Sequence, residues 1–305
     1  MSRGSAVATD AATRAAVTRT IVAMGTTVTA TVVPEDGAHT AVEAIAQALG
    51  WFAEVEGCCT RFDSTSELQR LCAQPGAWVP VSPLLFQAVR FAIDVAGRTG
   101  GAFDPCVGAA LHQAGFDRHH ATGARAPRAG DTTGGSWRDV DCDAATGRIR
   151  LRQPLQLDLG AVAKGMAIDL AARTLAPWRH FFVDAGGDVF AAGHNPRGMP
   201  WRVGIQHPLE PTAVIGVIPL DGRAVCTTAT YERGAHLLDA RTRQPTLDLA
   251  SVSVLAPTAM AADAASTAAF VLGPTDGPAF LAEEGLAALV VHRDGTAVPV
   301  GDWPR

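Results

Sequence analysis

Residues 157–175 read LDLGAVAKGMAIDLAARTL, and the reading of this stretch organises the rest of the chain. Residues 155–159 alternate apolar and polar side chains as a short strand does, and Gly160 breaks the alternation. From Ala161 onward Val162, Met166 and Leu170, with Ala163, Ala167 and Ala171, recur at helical spacing. The expectation is strand, turn, helix. A helix that starts beside a glycine presents unpaired N–H groups and the positive end of its dipole, and both suit a phosphate. Asp158 stands just before that start, and Lys164 in the first turn adds an ammonium. Lys164 is the one lysine among 25 basic residues. Either the position needs a compact ammonium that an arginine fork cannot replace, or the lysine is a solvated first-turn residue. Gly165 inside a helix costs roughly 1 kcal/mol against alanine, which a close approach by another group would explain, helix-to-sheet packing being the plainest form.

With 305 residues, 48% of them hydrophobic, the chain can bury a large core in one domain or two. A net charge of −5 and the lack of any Lys/Arg run argue against nucleic acid or an anionic membrane as the main partner. The cysteines at 58, 59, 72, 106, 142 and 226 form no C-x-x-C pair and read as buried free thiols. The first twenty residues carry Arg and Asp without an unbroken apolar stretch, and no segment approaches a span of about 20 apolar residues. The expectations are no signal peptide, no transmembrane segment and a cytoplasmic location. Residues 1–18 read as a disordered arm.

Along the chain, residues 20–33 are rich in Thr and Val around Met24-Gly25 and read as strands about a tight bend. Residues 40–52 and 83–96 read as helices, the second opened by Ser82-Pro83 and stopped at Gly97. Arg61 and Phe62 read as part of an ordinary loop before a short capped helix. The glycine-rich loop around Ala102, Phe103 and Asp104 is of the kind that lines sites, although Asp104 fits a turn equally well. Residues 118–136 show little periodicity and read as a lid or an insertion. Hairpins are expected at 181–193 about Gly186-Gly187, at 214–227 about Asp221-Gly222 and at 287–300 about Asp294-Gly295, which makes the sheets mainly antiparallel. Tyr231, the one tyrosine, and His236, three residues before Asp239, could each face a site or be structural. Residues 259–272 read as a helix of small side chains ending at Gly273. On it Asp263 and Thr267, at i and i+4, share a face and form either a hard-cation pair or, for Asp263, a partner to the helix dipole. The common nucleotide loops G-x-G-x-x-G and G-x-x-x-x-G-K-[ST], the zinc motif H-E-x-x-H and short-period repeats are all lacking.

Taken in order, MGTTV (24–28), TRFDSTSELQRL (60–71), GAFDPCVGAAL (101–111), LDLGAVAKGMAIDLAA (157–172), VDAGGDVFAAG (183–193), TYERGAHLLDARTRQP (230–245) and SVSVLAPTAMAADAASTAAFVLG (251–273) resemble the ApbE family, the FAD:protein FMN transferases, over residues 20–300. The resemblance implies an α+β, T-fold-like mixed domain over residues 19–305, with antiparallel sheets flanked by helices. It implies Mg²⁺-dependent transfer of FMN from FAD to a Thr or Ser hydroxyl of an acceptor protein, with AMP released. By resemblance, Met24, Ala102, Phe103, Asp104, Asp158, Lys164 and Leu238 contact FAD, the last through its backbone. The metal is held by the Ala161 carbonyl with Asp263 and Thr267. His236, Asp263 and Lys164 are the candidate catalytic residues, His236 or Asp263 taking the hydroxyl proton and Lys164 neutralising phosphate charge. Met166 stands where members commonly carry Tyr. Two alternatives use the same residues: an FAD diphosphatase with water as the nucleophile, and an FAD-binding protein without turnover.

Overall fold

Met24 and Gly25 both adopt positive φ, 50° and 74°, the conformation of a two-residue turn whose twist matches the strands it joins. They close a hairpin between β1 (Val17–Ala23) and β2 (Thr26–Val32), in register from Val17↔Val32 to Ala23↔Thr26. The computed structural model describes residues 14–35, 38–119, 122–127, 135–230 and 237–304. The first strand begins at Val17, three residues before the stretch from 20 that the sequence suggested. Thr18 and Thr20 pair across the hairpin with Thr31 and Thr29, and the Arg14 N–H is held by the Pro196 carbonyl. Residues 1–13 lie outside the described residues.

Helix α1 (Ala38–Cys59) buries Ile45, Leu49, Phe52 and Val55 on one face, and a short α2 (Glu67–Cys72) follows. Strand β3 (Trp78–Pro80) leads to α3 (Pro83–Arg98), which is capped by Ser82 and runs one residue past Gly97. Asp104 caps a single 3-10 turn before α4 (Gly108–Gln113). Strands β4 (Val140–Asp143) and β5 (Arg148–Leu151) join β3 in a small sheet ordered β3-β5-β4. Next come α5 (Gly160–Leu175), the hairpin β6 (Phe181–Ala185) and β7 (Asp188–Ala192), then β8 (Trp201–Gln206), β9 (Val214–Leu220) and β10 (Arg223–Ala229). After a two-residue pair, β11 (Leu238–Asp239) and β12 (Gln244–Pro245), the chain closes with β13 (Leu249–Ala256), α6 (Ala259–Glu283), β14 (Ala287–His292) and β15 (Ala297–Val300).

The main sheet is antiparallel throughout and ordered β1-β2-β6-β7-β10-β13-β14-β15. One core lies between it and the helices: Val28, Val183 and Val254 of the strands meet Phe52 of α1, Ile168 of α5 and Phe270 of α6. A second cluster uses Val189, Val225 and Leu255 of the sheet with Ile205, Ile218 and Leu220 of the β8–β9 ribbon. Covered on both sides, β13 is buried at all eight positions. The fold is therefore α+β, with antiparallel sheets flanked by helices.

Three local expectations are corrected. No hairpin joins β9 to β10: β9 pairs with β8, while β10 pairs with β7 and β13, so Asp221-Gly222 carries the chain from the ribbon into the main sheet. There the Asp221 carboxylate accepts from Gly193 N–H at 2.7 Å. Residues 155–159 form no strand. All but the half-buried Asp158 are buried beside the 3-10 turn, with Asp158 N–H donating to the Pro105 carbonyl at 2.7 Å and Gly108 N–H to the Gln156 carbonyl at 3.1 Å. The small-residue helix does break at Gly273 (φ 85°, ψ −170°), but Pro274 starts a second helical stretch instead of ending the element.

Candidate functional site

Helices α5 and α6 touch backbone to backbone. A Cβ placed on Gly165 would lie 2.5 Å from the Ala259 carbonyl oxygen and 2.5 Å from Met260 Cα. That crossing is why the glycine is tolerated, and it is a helix-to-helix contact, not the helix-to-sheet contact the sequence suggested. Asp169, one turn further along α5, accepts from Ala259 N–H at 2.7 Å and Met260 N–H at 3.0 Å and so caps the start of α6 with Thr258. Burial pushes the Asp169 carboxyl above its ordinary range, against the lowering effect of those two N–H groups. On the other helix, Asp263, 6% exposed, accepts from Gly165 N–H at 3.2 Å. In a regular helix that N–H belongs to the carbonyl four residues earlier, that of Ala161. Gly165 and Asp263 are thereby tied together one turn from Ala161, and Thr267 follows Asp263 by one turn, its hydroxyl 3.1 Å from that of Thr228 on β10.

A cavity of about 420 Å³ opens beside this crossing, within the range of small-molecule sites. Met24, Phe103, Asp104, Asp158, Ala161 and Lys164 line it, as do Leu238, Asp263 and Thr267. Nine residues singled out from the sequence thus share one wall system. Ala102 is not on the wall: it is buried behind it, and its carbonyl accepts from Ala240 N–H at 3.1 Å, pinning the Phe103 loop to the Leu238 segment. His236 and Tyr231 lie outside the described residues; Ala229 and Leu237, the lining residues nearest that stretch, face the cavity. Of residues 118–136, Arg118 and His119 line the cavity. Met166 is buried in the core and does not line it.

The start of α5, read from the sequence as an anion site, is partly capped by the chain itself. Asp158 Oδ1 accepts from Gly160 N–H at 2.8 Å, and the Val162 and Ala163 N–H groups bond to the Leu159 carbonyl. The chain's own carboxylate therefore takes the first N–H of the helix, that of Gly160. Positive charge on the wall comes from side chains instead. Lys164 Nζ is 2.5 Å from Asp188 Oδ2, and the other oxygen of that buried carboxylate accepts from Thr227 N–H at 2.9 Å. Arg61 Nε is 2.5 Å from Asp158 Oδ2, and its Nη2 donates to the Phe116 carbonyl at 2.6 Å. Neither Arg61 nor Asp188 was singled out from the sequence. Asp188 carried one usable signal, an inward-facing charge at the start of an apolar strand; Arg61 carried none, because its meaning depends on Asp158 in a distant segment.

Asp104 serves the loop as well as the wall. Its Oδ1 accepts from Cys106 N–H at 2.8 Å and its Oδ2 from Trp137 N–H at 2.9 Å. Burial holds its carboxyl above the ordinary range despite these bonds. Met24, strained at positive φ, is fixed by its N–H donating to Glu56 Oε2 at 2.9 Å. The six cysteines are free; three are buried and three partly so. No described helix is long and apolar enough to cross a membrane.

This geometry matches known proteins. A family model described as the ApbE family matches residues 24–290. An FAD:protein FMN transferase of Rhodobacter capsulatus is 36% identical over 234 residues, which are 71% of this chain and 44% of that protein, so the chain spans less than half the length of that relative. A second FAD:protein FMN transferase, from Klebsiella pneumoniae, is 32% identical over 235 residues, 71% of this chain and 67% of that protein. The crystal structure of the flavinyl transferase ApbE of Pseudomonas stutzeri, in its apo form, superposes with a TM-score of 0.81 at 28% identity, covering 94% of this chain and 95% of that one. The chain belongs to the ApbE family.

Proposed function

We propose that the chain is an FAD:protein FMN transferase: it binds FAD in the cavity beside the α5–α6 crossing and passes FMN to a Thr or Ser hydroxyl of an acceptor protein, releasing AMP. The observation that carries this reading is the convergence of Ala161 and Lys164 from α5 with Asp263 and Thr267 from α6 on one cavity wall. The names of the relatives supply the reaction.

The donor set fits a hard cation such as Mg²⁺. It offers a buried carboxylate, a hydroxyl and a main-chain carbonyl, all oxygen, and Mg²⁺ sites commonly combine one or two carboxylates with substrate phosphates. When bound, the cation neutralises developing charge on the pyrophosphate. Lys164, oriented by Asp188, places its ammonium at the same wall. Met24 and Phe103 supply apolar surface for the flavin or adenine rings, and Leu238 offers its backbone. The acceptor hydroxyl must lose a proton, and the candidates remain His236 and Asp263; of the two, Asp263 faces the cavity among the described residues.

Incubating the protein with FAD and Mg²⁺, with and without an acceptor carrying a Ser/Thr flavinylation segment, tests the reading. AMP release together with an FMN mass increment on the acceptor is expected, and both should stop on chelation of the metal. AMP and free FMN formed at the same rate whether or not acceptor is present would instead make the protein a diphosphatase. FAD binding without AMP under every condition would leave it a flavin-binding protein.

A further inference from the structure

Arg61 is 7% exposed, yet it lies on the cavity wall. Its guanidinium is fixed on three sides: Nε by Asp158 at 2.5 Å, Nη2 by the Phe116 carbonyl at 2.6 Å, and its face by the Phe62 ring, whose centroid is 4.4 Å from Cζ. The fourth side is different. Nη1, with two N–H donors, is buried and has no hydrogen-bond partner among the described residues; Nε makes no hydrogen bond either, its contact with Asp158 being an ion pair. A buried charged donor left unmatched is costly, and native structures keep such groups where a ligand or ion completes them. Asp158 takes the Gly160 N–H at the start of α5, and Arg61, paired with the other oxygen of that carboxylate, holds its fork beside that helix start.

We propose that Arg61 is a phosphate-binding residue of the cavity: Nη1 donates to a phosphate oxygen of the bound dinucleotide while Nε and Nη2 keep their anchors on Asp158 and Phe116. The inference rests on the FAD-binding reading above and deepens it by assigning a phosphate contact to a residue outside the set foreseen from the sequence. The anchoring accounts for an arginine here, since a lysine could pair with Asp158 but has no second and third arm for the Phe116 carbonyl and the ligand.

The test is equilibrium titration of the full chain with FAD and, as a phosphate-free probe, with riboflavin, for wild type, Arg61→Gln and Arg61→Lys, with chelator present so that no turnover occurs. Loss of a charge-assisted contact should weaken FAD binding roughly 10- to 100-fold in Arg61→Gln, less in Arg61→Lys, with riboflavin affinity unchanged in both. Equal weakening toward FAD and riboflavin would overturn the proposal and make Arg61 a support for Asp158. Unchanged FAD affinity in Arg61→Gln would overturn it as well. If Arg61→Gln does not fold, Arg61→Lys, which keeps the charge opposite Asp158, carries the same comparison. Failure of the wild type to bind FAD at all would sink the functional reading itself, an outcome separate from wild-type binding that the substitution leaves intact.

Discussion

The two walls of the cavity are built in different ways. The helix wall, from α5 and α6, depends on regular geometry: Gly165 lets two backbones meet, Asp169 caps the neighbouring helix, and Asp263 and Thr267 share a face because they are one turn apart. The loop wall, formed by Arg61, Phe62, Phe103 and Asp104, depends on single contacts between segments far apart in sequence, such as Arg61 with Asp158 and Asp104 with the Trp137 N–H. Damage to the first should therefore propagate through the core, while damage to the second should stay local.

The largest effect is expected at the helix crossing. Gly165→Ala puts a methyl group against the backbone of Ala259 and Met260, which cannot yield as a flexible side chain would, and should cost about 3 kcal/mol in urea denaturation, with FAD affinity falling in step. A stability equal to wild type would show that the helices separate freely and that the wall is not rigid.

A smaller, local effect is expected at Asp104. Asp104→Ala removes the acceptor for two backbone N–H groups and should cost about 1–2 kcal/mol without disturbing the α5–α6 contact. The pH dependence has a definite sign. Burial holds this carboxyl above its ordinary range in the folded chain, so between the unfolded and folded values the native state binds more protons than the unfolded one. Its contribution is fully present below the unfolded value and is lost as pH rises through the folded one; Asp104→Asn should flatten that part of the profile. An unchanged profile would mean that other carboxylates set the slope.

The same contrast explains what could be read from the sequence. Periodicity and spacing exposed the helix wall, because an i, i+4 pair and a helical glycine keep their meaning without knowledge of the tertiary fold. Gly186-Gly187 likewise marked its hairpin correctly, both residues taking positive φ. Asp221-Gly222 misled, since the same dipeptide can turn a hairpin or hand a strand to another sheet, and the choice lies in which face Ile218 and Leu220 cover. Arg61 read as an ordinary loop residue because its partners come from two other segments. Lys164 as a solvated first-turn residue, the alternative left open by the sequence, could be removed without cost to the fold. Its pairing with the buried Asp188 removes that option: deleting the ammonium strands a carboxylate, so a fall in stability alone says nothing about phosphate binding.

The central claim, that Asp263 on the helix wall brings a divalent cation to FAD, is tested most directly by titrating FAD with and without Mg²⁺ into wild type and Asp263→Asn. The asparagine keeps the shape and an oxygen for Gly165 N–H, so folding is preserved while the charge is lost. The account expects Mg²⁺ to tighten FAD binding in the wild type, by roughly tenfold or more, and to have no effect in Asp263→Asn. The same Mg²⁺ enhancement in both proteins would contradict it and move the cation away from the α5–α6 crossing.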